Sequence, residues 1–174
     1  KRAARWMLPV LDGWIDYRLP IHGFVRGRNA VTNAKVHLNY AWSLCFDLSD
    51  FFDCVTSAKL VSAGIPASLA EAITDGEGIA RQGYPTSPSA ANIAFQVVDR
   101  RLIRQLEGRD GPIAYSRYAD DLTFSSNNRL ALEDLKPVVE RIITQSGFKV
   151  SERKTHWWSA AGGRRMITGV AVGS

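Results

Sequence analysis

The sequence predicts an α+β fold in which a small antiparallel sheet carries helices on one face. Residues 42–48 alternate between apolar and polar side chains, which is typical of a strand with one buried face. Residues 88–106 and 130–145 each place apolar side chains along one side of a helix. Between them, residues 113–118 and 122–126 are typical of two strands joined by a tight turn. Elements in this order are expected to pack as two layers.

The composition is that of an ordinary globular domain. The chain has 174 residues, of which 45% are hydrophobic and 22% are charged, enough for one domain with a sizeable core. No apolar run reaches membrane-spanning length and no signal peptide is recognised, so we expect no membrane contact. Cys45 and Cys54 form no CxxC pair, which favours two inert thiols in a cytoplasmic protein.

The positive charge is unevenly distributed. The net charge is +5, and residues 1–46 hold seven Lys or Arg against two Asp. Residues 149–165 form a second basic segment, with five Lys or Arg against Glu152. Basic segments on either side of an acidic centre are expected where a polyanion lies across a metal site, and a solvated basic surface is the alternative.

The first forty residues are predicted to be helix, loop and helix. Residues 3–19 are interpreted as a helix despite Pro9, and residues 29–40 as a short helix. Between them, residues 22–28 form a glycine-punctuated basic loop that can approach phosphate, or an ordinary glycine turn.

The strand over residues 42–48 is predicted to end near Asp47, on the face away from its apolar side chains. A helix N-cap or a strand-end carboxylate is the alternative role for Asp47. Two short helices are predicted over residues 56–64 and 66–74, and a turn follows at residues 75–78.

Residues 81–88 are predicted to be extended and constrained by their two prolines. Ser87 is a good N-cap and Pro88 a good first residue for the long helix that follows. In the second long helix, Pro137 is expected to cause a kink or a break. Short strands are predicted afterwards at residues 148–150, 155–158 and 165–170, with the last two joined as a hairpin.

The turn Ala119-Asp120-Asp121 is unusual because it has no Gly, Asn or Pro and carries two adjacent carboxylates. The two like charges repel each other. A divalent cation such as Mg²⁺, which prefers carboxylate oxygens, attracts both and so offsets the repulsion. A solvated acidic turn is the alternative. If the Asp47 strand lies beside this hairpin, three carboxylates converge and can bridge two Mg²⁺ roughly 3.5–4 Å apart.

Four ordered segments together resemble the palm domain of reverse transcriptases. Residues 118–121 resemble the catalytic Y-x-D-D box, and residues 46–52 resemble the first metal-binding motif. Residues 82–88 resemble the Q-G-x-P-T-S-P segment, and residues 147–155 resemble the motif after the second palm helix.

Two more segments resemble those of bacterial retron reverse transcriptases in particular. Residues 33–37 match the N-A-x-x-H signature, and residues 167–169 are similar to the V-T-G signature with Ile for Val. The resemblance covers residues 20–170 and implies RNA-templated DNA synthesis.

The resemblance implies a catalytic site with two metal ions. Asp47, Asp120 and Asp121 would bind two Mg²⁺, with Mn²⁺ as a substitute, helped by the carbonyl of Leu48. Lys154 would be the general acid for pyrophosphate, with Lys149 as the weaker candidate.

The resemblance also implies the nucleotide and nucleic-acid contacts. Phe52 would exclude a 2′-hydroxyl, with a place in the core as the alternative, while Gln82 and Gly83 would line the nucleotide pocket. Residues 156–169 would form a hairpin that grips the primer. The residues expected to contact nucleic acid are Arg26, Arg28, Tyr118, Trp157 and Trp158, with a place in the core as the alternative for one of the two tryptophans.

The implied organisation is a palm with part of the fingers. Residues 1–40 would be partial fingers and their connection, and residues 41–174 the palm with its primer-grip hairpin. The remaining fingers and the thumb are expected outside this segment. The implied partners are an RNA template, a DNA or RNA primer and deoxynucleoside triphosphates, with a structured non-coding RNA and an effector protein in a bacterial antiviral defence system.

Three alternatives stay open. A group II intron or defence-associated reverse transcriptase is disfavoured by residues 33–37. A palm that binds nucleic acid without catalysis is disfavoured by the three aspartates. A nucleotide cyclase on a similar palm is disfavoured by residues 82–88.

Overall fold

The computed structural model describes residues 6–109 and 111–172. In that part of the chain, no helix combines the length and apolar character needed to cross a membrane. Internal contacts divide the chain into two compact units. The first comprises Lys1–Leu19 and Asp50–Arg100, and the second comprises Pro20–Ser49 and Arg101–Ser174.

The second unit is built on an antiparallel sheet. Its strands are β1 (Trp42–Ser49), β2 (Ala114–Tyr118), β3 (Asp121–Ser126), β4 (Lys149–Val150) and β5 (His156–Ser159). The strand order is β2-β3-β1-β4, and β5 also pairs with β1. Every pairing is antiparallel, so the predicted α+β class with a small antiparallel sheet is confirmed.

Six α-helices are found in the described part of the chain. They are α1 (Leu8–Asp12), α2 (Ala30–Lys35), α3 (Ser57–Ser62), α4 (Ala67–Ala72), α5 (Ser87–Leu106) and α6 (Arg129–Gln145). In the second unit, α6 packs against β1, β3 and β4. In the first unit, α3 packs against α4. The predicted N-cap role of Ser87 is wrong, because this residue is already in α5 and its hydroxyl donates to the Arg81 carbonyl.

The two N-terminal helices are shorter than predicted. The described part of residues 3–19 contains only α1, which has Pro9 in its first turn and ends at Asp12. Helix α2 begins after Asn29, whose side chain forms a capping box with Thr32. It ends at Lys35, and Asn39 has a positive φ of 65°, which a helix cannot accommodate.

The predicted break at Pro137 is wrong, because α6 runs through it as one helix. Proline removes one backbone hydrogen bond, which should destabilise the helix. The apolar side of α6 is nevertheless buried on both sides of the proline, at Leu132, Leu135 and Val139. Packing of that face therefore outweighs the local cost.

The predicted hairpin between the last two strands is also wrong. Strand β5 pairs with β1, while β6 (Arg165–Ile167) pairs with β7 (Val170–Val172) in a separate two-stranded sheet. Thr168 and Gly169, which join β6 to β7, both have positive φ, at 50° and 74°. A type I′ turn requires that conformation and favours a tight hairpin at this point.

Candidate functional site

Three carboxylates come together at one end of the sheet. Asp47 lies directly opposite Asp121 in the β1–β3 pairing, and Asp120 is in the turn that precedes β3. The Leu48 amide donates to the Asp120 carbonyl at 3.1 Å, which ties this turn to β1. Ala119 has a positive φ of 55°, so the turn adopts an uncommon backbone conformation without a glycine. We call Asp47, Asp120 and Asp121 the carboxylate site.

The carboxylate site is electrostatically strained. Burial raises the pKa of Asp121 to about 6, and repulsion from Asp120 and Asp47 adds to the effect. Burial also raises the pKa of Asp120, with a further contribution from Asp47. Adding positive charge to this site would therefore favour the ionised carboxylates.

Lys154 supplies positive charge in the conformation described. Its ammonium donates to Asp47 Oδ2 at 3.2 Å and lies 2.9 Å from Oδ1. The contact with the buried Oδ1 is an ion pair. The hydrogen bond to Asp47 raises the pKa of Lys154, which keeps the lysine protonated.

These residues fit divalent cations by their chemistry. Three neighbouring carboxylates, two of them partly desolvated, form the set of hard ligands that Mg²⁺ prefers. Over residues 6–109 and 111–172, no three His, Cys, Asp or Glu side chains are already arranged to hold an ion. Binding therefore requires side-chain rearrangement, beginning with the ion pair between Lys154 and Asp47.

The sequence did not reveal how the turn at residues 119–120 is supported. Arg117 is fully buried, and its Nη1 donates to the Ala119 carbonyl at 3.0 Å. Its backbone hydrogen-bonds on both sides, to Pro20 at 2.9 Å and His22 at 2.7 Å. A Cβ on Gly23 would lie 2.3 Å from the Ala119 amide nitrogen, so this contact requires glycine. The loop predicted to approach phosphate thus also buttresses the turn.

The other predicted nucleic-acid contacts in this unit differ in exposure. Arg26 is exposed, whereas Arg28 donates to the Ile21 carbonyl at 2.6 Å and helps to hold its own loop. Tyr118 is half-buried and lies opposite Asp121 in the β2–β3 pairing.

Trp157 and Trp158 lie on opposite faces of β5, as neighbours in a strand must. Trp157 is opposite Leu44, and the Arg129 guanidinium lies 5.9 Å from its ring centre. Trp158 packs edge-to-face against His156, with 5.3 Å between ring centres. The opposite faces agree with the alternative that one of the two tryptophans is a core residue, and contact of either one with nucleic acid stays a prediction.

Trp158 and Asp121 line the same pocket. Its volume is about 230 Å³, and its lining includes Cys45, Thr123, His156 and Thr168. His156 is a candidate site residue that the sequence analysis did not single out, since its position beside Trp158 depends on the pairing of β5 with β1.

The predicted nucleotide-binding residues belong to the first unit. Phe52 is half-buried, whereas its neighbour Phe51 is buried and packs edge-to-face on Phe95 at 5.7 Å. Gln82 and Gly83 are both exposed, and Gly83 has a positive φ of 89°. The Phe52 side chain is therefore partly accessible, whereas Phe51 is part of the core.

Arg81 anchors the segment that carries Gln82 and Gly83. Its guanidinium binds Asp75 at 2.6 Å and Asp53 at 3.2 Å, and it also pairs with Glu77. These carboxylates hold the pKa of Arg81 above its usual value. The sequence analysis treated Arg81 only as part of an extended segment.

The two segments similar to retron signatures contact each other. The Asn33 amide donates to Thr168 Oγ1 at 2.8 Å. His37 is fully buried, with Nδ1 2.9 Å from Ser125 Oγ and Nε2 2.6 Å from Ser116 Oγ. This histidine therefore connects the end of α2 to strands β2 and β3.

Comparison with known proteins identifies relatives along nearly the whole chain. The family model described as reverse transcriptase (RNA-dependent DNA polymerase) matches residues 7–168. The retron Mx65 reverse transcriptase of Myxococcus xanthus is 35% identical, over 99% of this chain and 45% of its own length. The retron Ec86 reverse transcriptase of Escherichia coli is 30% identical, over 95% of this chain and 55% of its own. The chain thus spans about half the length of these relatives.

Solved structures with a similar fold include two telomerases. An apo telomerase from Candida tropicalis, truncated from the C-terminal domain, has a TM-score of 0.69 at 13% identity, covering 99% of this chain and 43% of that one. Telomerase from Candida albicans, in complex with a fragment of telomeric RNA, has a TM-score of 0.67 at 12% identity. This match covers 99% of the present chain and 36% of the telomerase chain. At such low identity, the likeness concerns the fold alone.

Proposed function

Because the chain belongs to the reverse transcriptase (RNA-dependent DNA polymerase) family, we propose that it carries the catalytic centre for RNA-templated DNA synthesis of the retron type. The observation that supports this most directly is the carboxylate site, in which Asp47, Asp120 and Asp121 meet beside Lys154. The substrates would be deoxynucleoside triphosphates, a primer and an RNA template. A structured retron RNA and an effector protein would be the further partners.

Asp47, Asp120 and Asp121 would hold two Mg²⁺, or Mn²⁺ in their place, with the Leu48 carbonyl as a further ligand. When bound, these ions supply activation of the primer hydroxyl and stabilisation of the leaving pyrophosphate. Lys154, whose exposed ammonium is kept protonated by the neighbouring carboxylates, would give a proton to pyrophosphate.

The remaining contacts follow from exposure and from the face of the sheet. Trp158 would pack on the primer, because it lines the pocket that includes Asp121. Arg26 would contact the template backbone, and Tyr118 the nucleic acid beside the turn. We propose that Phe52, Gln82 and Gly83 line the nucleotide pocket, because they lie in motifs similar to those of the family. Their exposure is consistent with this role, since Phe52 is half-buried and the other two are exposed.

The test is Asp120→Asn, which keeps the size of the side chain and removes its charge. Primer extension on an RNA template with Mg²⁺ should fall by at least about 10²–10³-fold, as when a preorganised electrostatic group is lost. Mn²⁺ affinity, measured by titration, should fall as well. RNA affinity should be retained because phosphate contacts supply most of it. Thermal stability should be unchanged or higher, because a repulsive buried charge is removed.

The matched control is Asp134→Asn, which removes the same charge from an exposed position on α6. It should extend primers and bind Mn²⁺ as the parent chain does. Near-parental extension by Asp120→Asn would contradict the proposed site. If the parent chain binds RNA but does not extend a primer, the result would instead favour a palm that binds nucleic acid without catalysis.

A further inference from the structure

A second basic site lies between the C-terminal parts of α5 and α6. It is a surface pocket of about 330 Å³, near the lower end of the roughly 300–1,000 Å³ typical of ligand sites. Its lining is basic and polar without any acidic side chain, and consists of Arg101, Arg104, Gln105, Arg141, Ile142 and Gln145. We call it the arginine pocket. None of these residues has a role in the proposed polymerase site.

One of the three guanidinium groups is held in place by the end of α6. Arg101 Nη1 donates to Ser146 Oγ at 3.0 Å, and Nη2 donates to Gln145 Oε1 at 3.4 Å. Ser146 is itself fixed, because its hydroxyl donates to the Ile142 carbonyl at 2.7 Å. Arg101 is therefore oriented by neutral groups, and its charge is not cancelled by these contacts.

Arg141 contrasts with arginines elsewhere in the chain. Arg18, Arg81 and Arg129 each bind a carboxylate at 2.9 Å or less. Arg141 is exposed and forms no ion pair with any residue in the described ranges 6–109 and 111–172. A cation near a helix C-terminus is stabilised by the helix dipole by only about 0.3–1 kcal/mol. That effect is small, and within the described residues neither Arg101 nor Arg141 pairs with a carboxylate.

We propose that the arginine pocket binds a backbone phosphate of RNA and forms a second RNA contact of this chain. Planar guanidinium groups match phosphate oxygens in pairs, and glutamine amides provide further donors. The choice of RNA rather than an acidic protein rests on the proposed function, in which the chain handles RNA. The net charge of +5 is also consistent with a polyanionic partner.

The arginine pocket shares no residue with the carboxylate site, because its lining belongs to α5 and α6 whereas the three aspartates belong to β1, β3 and the turn before β3. Phosphate binding in the arginine pocket should therefore add to RNA affinity without changing the chemistry at Asp120 and Asp121.

The test replaces Arg104 and Arg141 together by glutamine, which preserves helix propensity. Arg101 is left intact because it also packs on the end of α6. Affinity for a structured RNA hairpin is measured across a salt series with a chelator present, so that bound metal plays no part. Each lost phosphate contact should lower the salt slope by about 0.7–0.9. For the one phosphate proposed, we expect a slope lower by about 0.7–0.9 and several-fold weaker binding.

The matched control is Lys136→Gln, which removes one charge from α6 outside the pocket. Its salt slope should stay within about half a unit of the parent, because Lys136 pairs with Glu140 and contacts no pocket phosphate. Arg141→Lys, which keeps the charge but loses the planar fork, should lie between the parent and Arg141→Gln.

A double variant whose slope and affinity equal those of the control would overturn the proposal. The proposal would also be overturned if the double variant bound RNA as the parent does but no longer bound a poly-glutamate peptide. That result would assign the pocket to an acidic protein. Primer extension on a short primer–template should be unchanged in the pocket variants. Failure of the parent to extend a primer would contradict the proposed polymerase function and leave this binding comparison intact.

Discussion

Gly23 packs closely against the turn at residues 119–120. A Cβ there would come within 2.3 Å of the Ala119 amide nitrogen and 3.0 Å of the Tyr118 carbonyl carbon. Both neighbours are backbone atoms, so neither can move aside as a side chain would. Any displacement would therefore shift Asp120, which follows directly in the chain.

We predict that Gly23→Ala lowers both stability and primer extension. The cost in unfolding free energy should be about 1–3 kcal/mol, as for other overpacked sites. Extension should fall more steeply than RNA binding, since small displacements of reacting groups are costly. Gly76→Ala is the matched control, because a Cβ there meets nothing within 4 Å. Equal melting temperatures and extension rates for the two variants would contradict this account of Gly23.

Phe52 is the residue whose two proposed roles can be separated by experiment. Its half-buried ring lies 5.7 Å from that of Phe51, which already occupies the core. If Phe52 excludes the 2′-hydroxyl, Phe52→Val should raise ribonucleotide incorporation relative to deoxyribonucleotide by roughly tenfold or more. The measurement is extension with each nucleotide type in competition. Unchanged discrimination with a lower melting temperature would assign Phe52 to the core.

At the scale of elements, Arg165 connects strand β6 to strand β1. It is fully buried, and its Nη1 donates to Ser43 Oγ at 3.2 Å. Its Nε and Nη2 have no hydrogen-bond partner within residues 6–109 and 111–172. Burial lowers its pKa. This contact therefore places a poorly compensated cation between the two sheets of the second unit.

We predict that Arg165→Met maintains or raises the melting temperature. An apolar side chain of similar length removes the desolvation cost, and such replacements of buried charges are often neutral or stabilising. Ser43→Ala should instead cost about 1–3 kcal/mol, since it leaves the guanidinium without its one described acceptor. Thermal unfolding of both variants is the measurement. A larger loss for Arg165→Met than for Ser43→Ala would show that the buried charge is stabilising.

At the scale of the whole molecule, His37 makes stability depend on pH. Burial lowers the pKa of His37 to about 3, and the charges of Arg165 and His22 add to the effect. Both ring nitrogens bond serine hydroxyls in the sheet, so the folded chain holds the neutral ring. In the unfolded chain the ordinary pKa of 6.5 applies. Between these values the unfolded state binds the extra proton, so stability rises with pH.

The stabilising contribution of neutral His37 should therefore be complete above pH 6.5 and be lost progressively as the pH falls towards 3. At pH 5 the loss should be about 2 kcal/mol, from 1.36 kcal/mol per pH unit. The measurement is urea unfolding between pH 5 and 8 for the parent and His37→Gln. The carboxylates titrate in both proteins, so the difference isolates His37. If the unfolding free energy of the parent and that of His37→Gln changed equally with pH, the prediction would be contradicted.

The sequence by itself determined the main strands and the two long helices, and it indicated the residues proposed to carry the chemistry. The alternation in β1, the apolar sides of α5 and α6 and the Asp120–Asp121 pair are local patterns, and each can be read within a few residues. The order of the motifs was enough to indicate the family, which the match over residues 7–168 confirms.

Only the tertiary structure decided which distant segments meet. The pairing of β5 with β1 and the contact between Gly23 and Ala119 each join residues about 100 positions apart. The unbroken α6 and the arginine pocket likewise depend on packing between elements. Local periodicity carries no information on such pairings, because they depend on which buried surfaces and hydrogen-bonding edges are left to be satisfied once the nearest elements have formed.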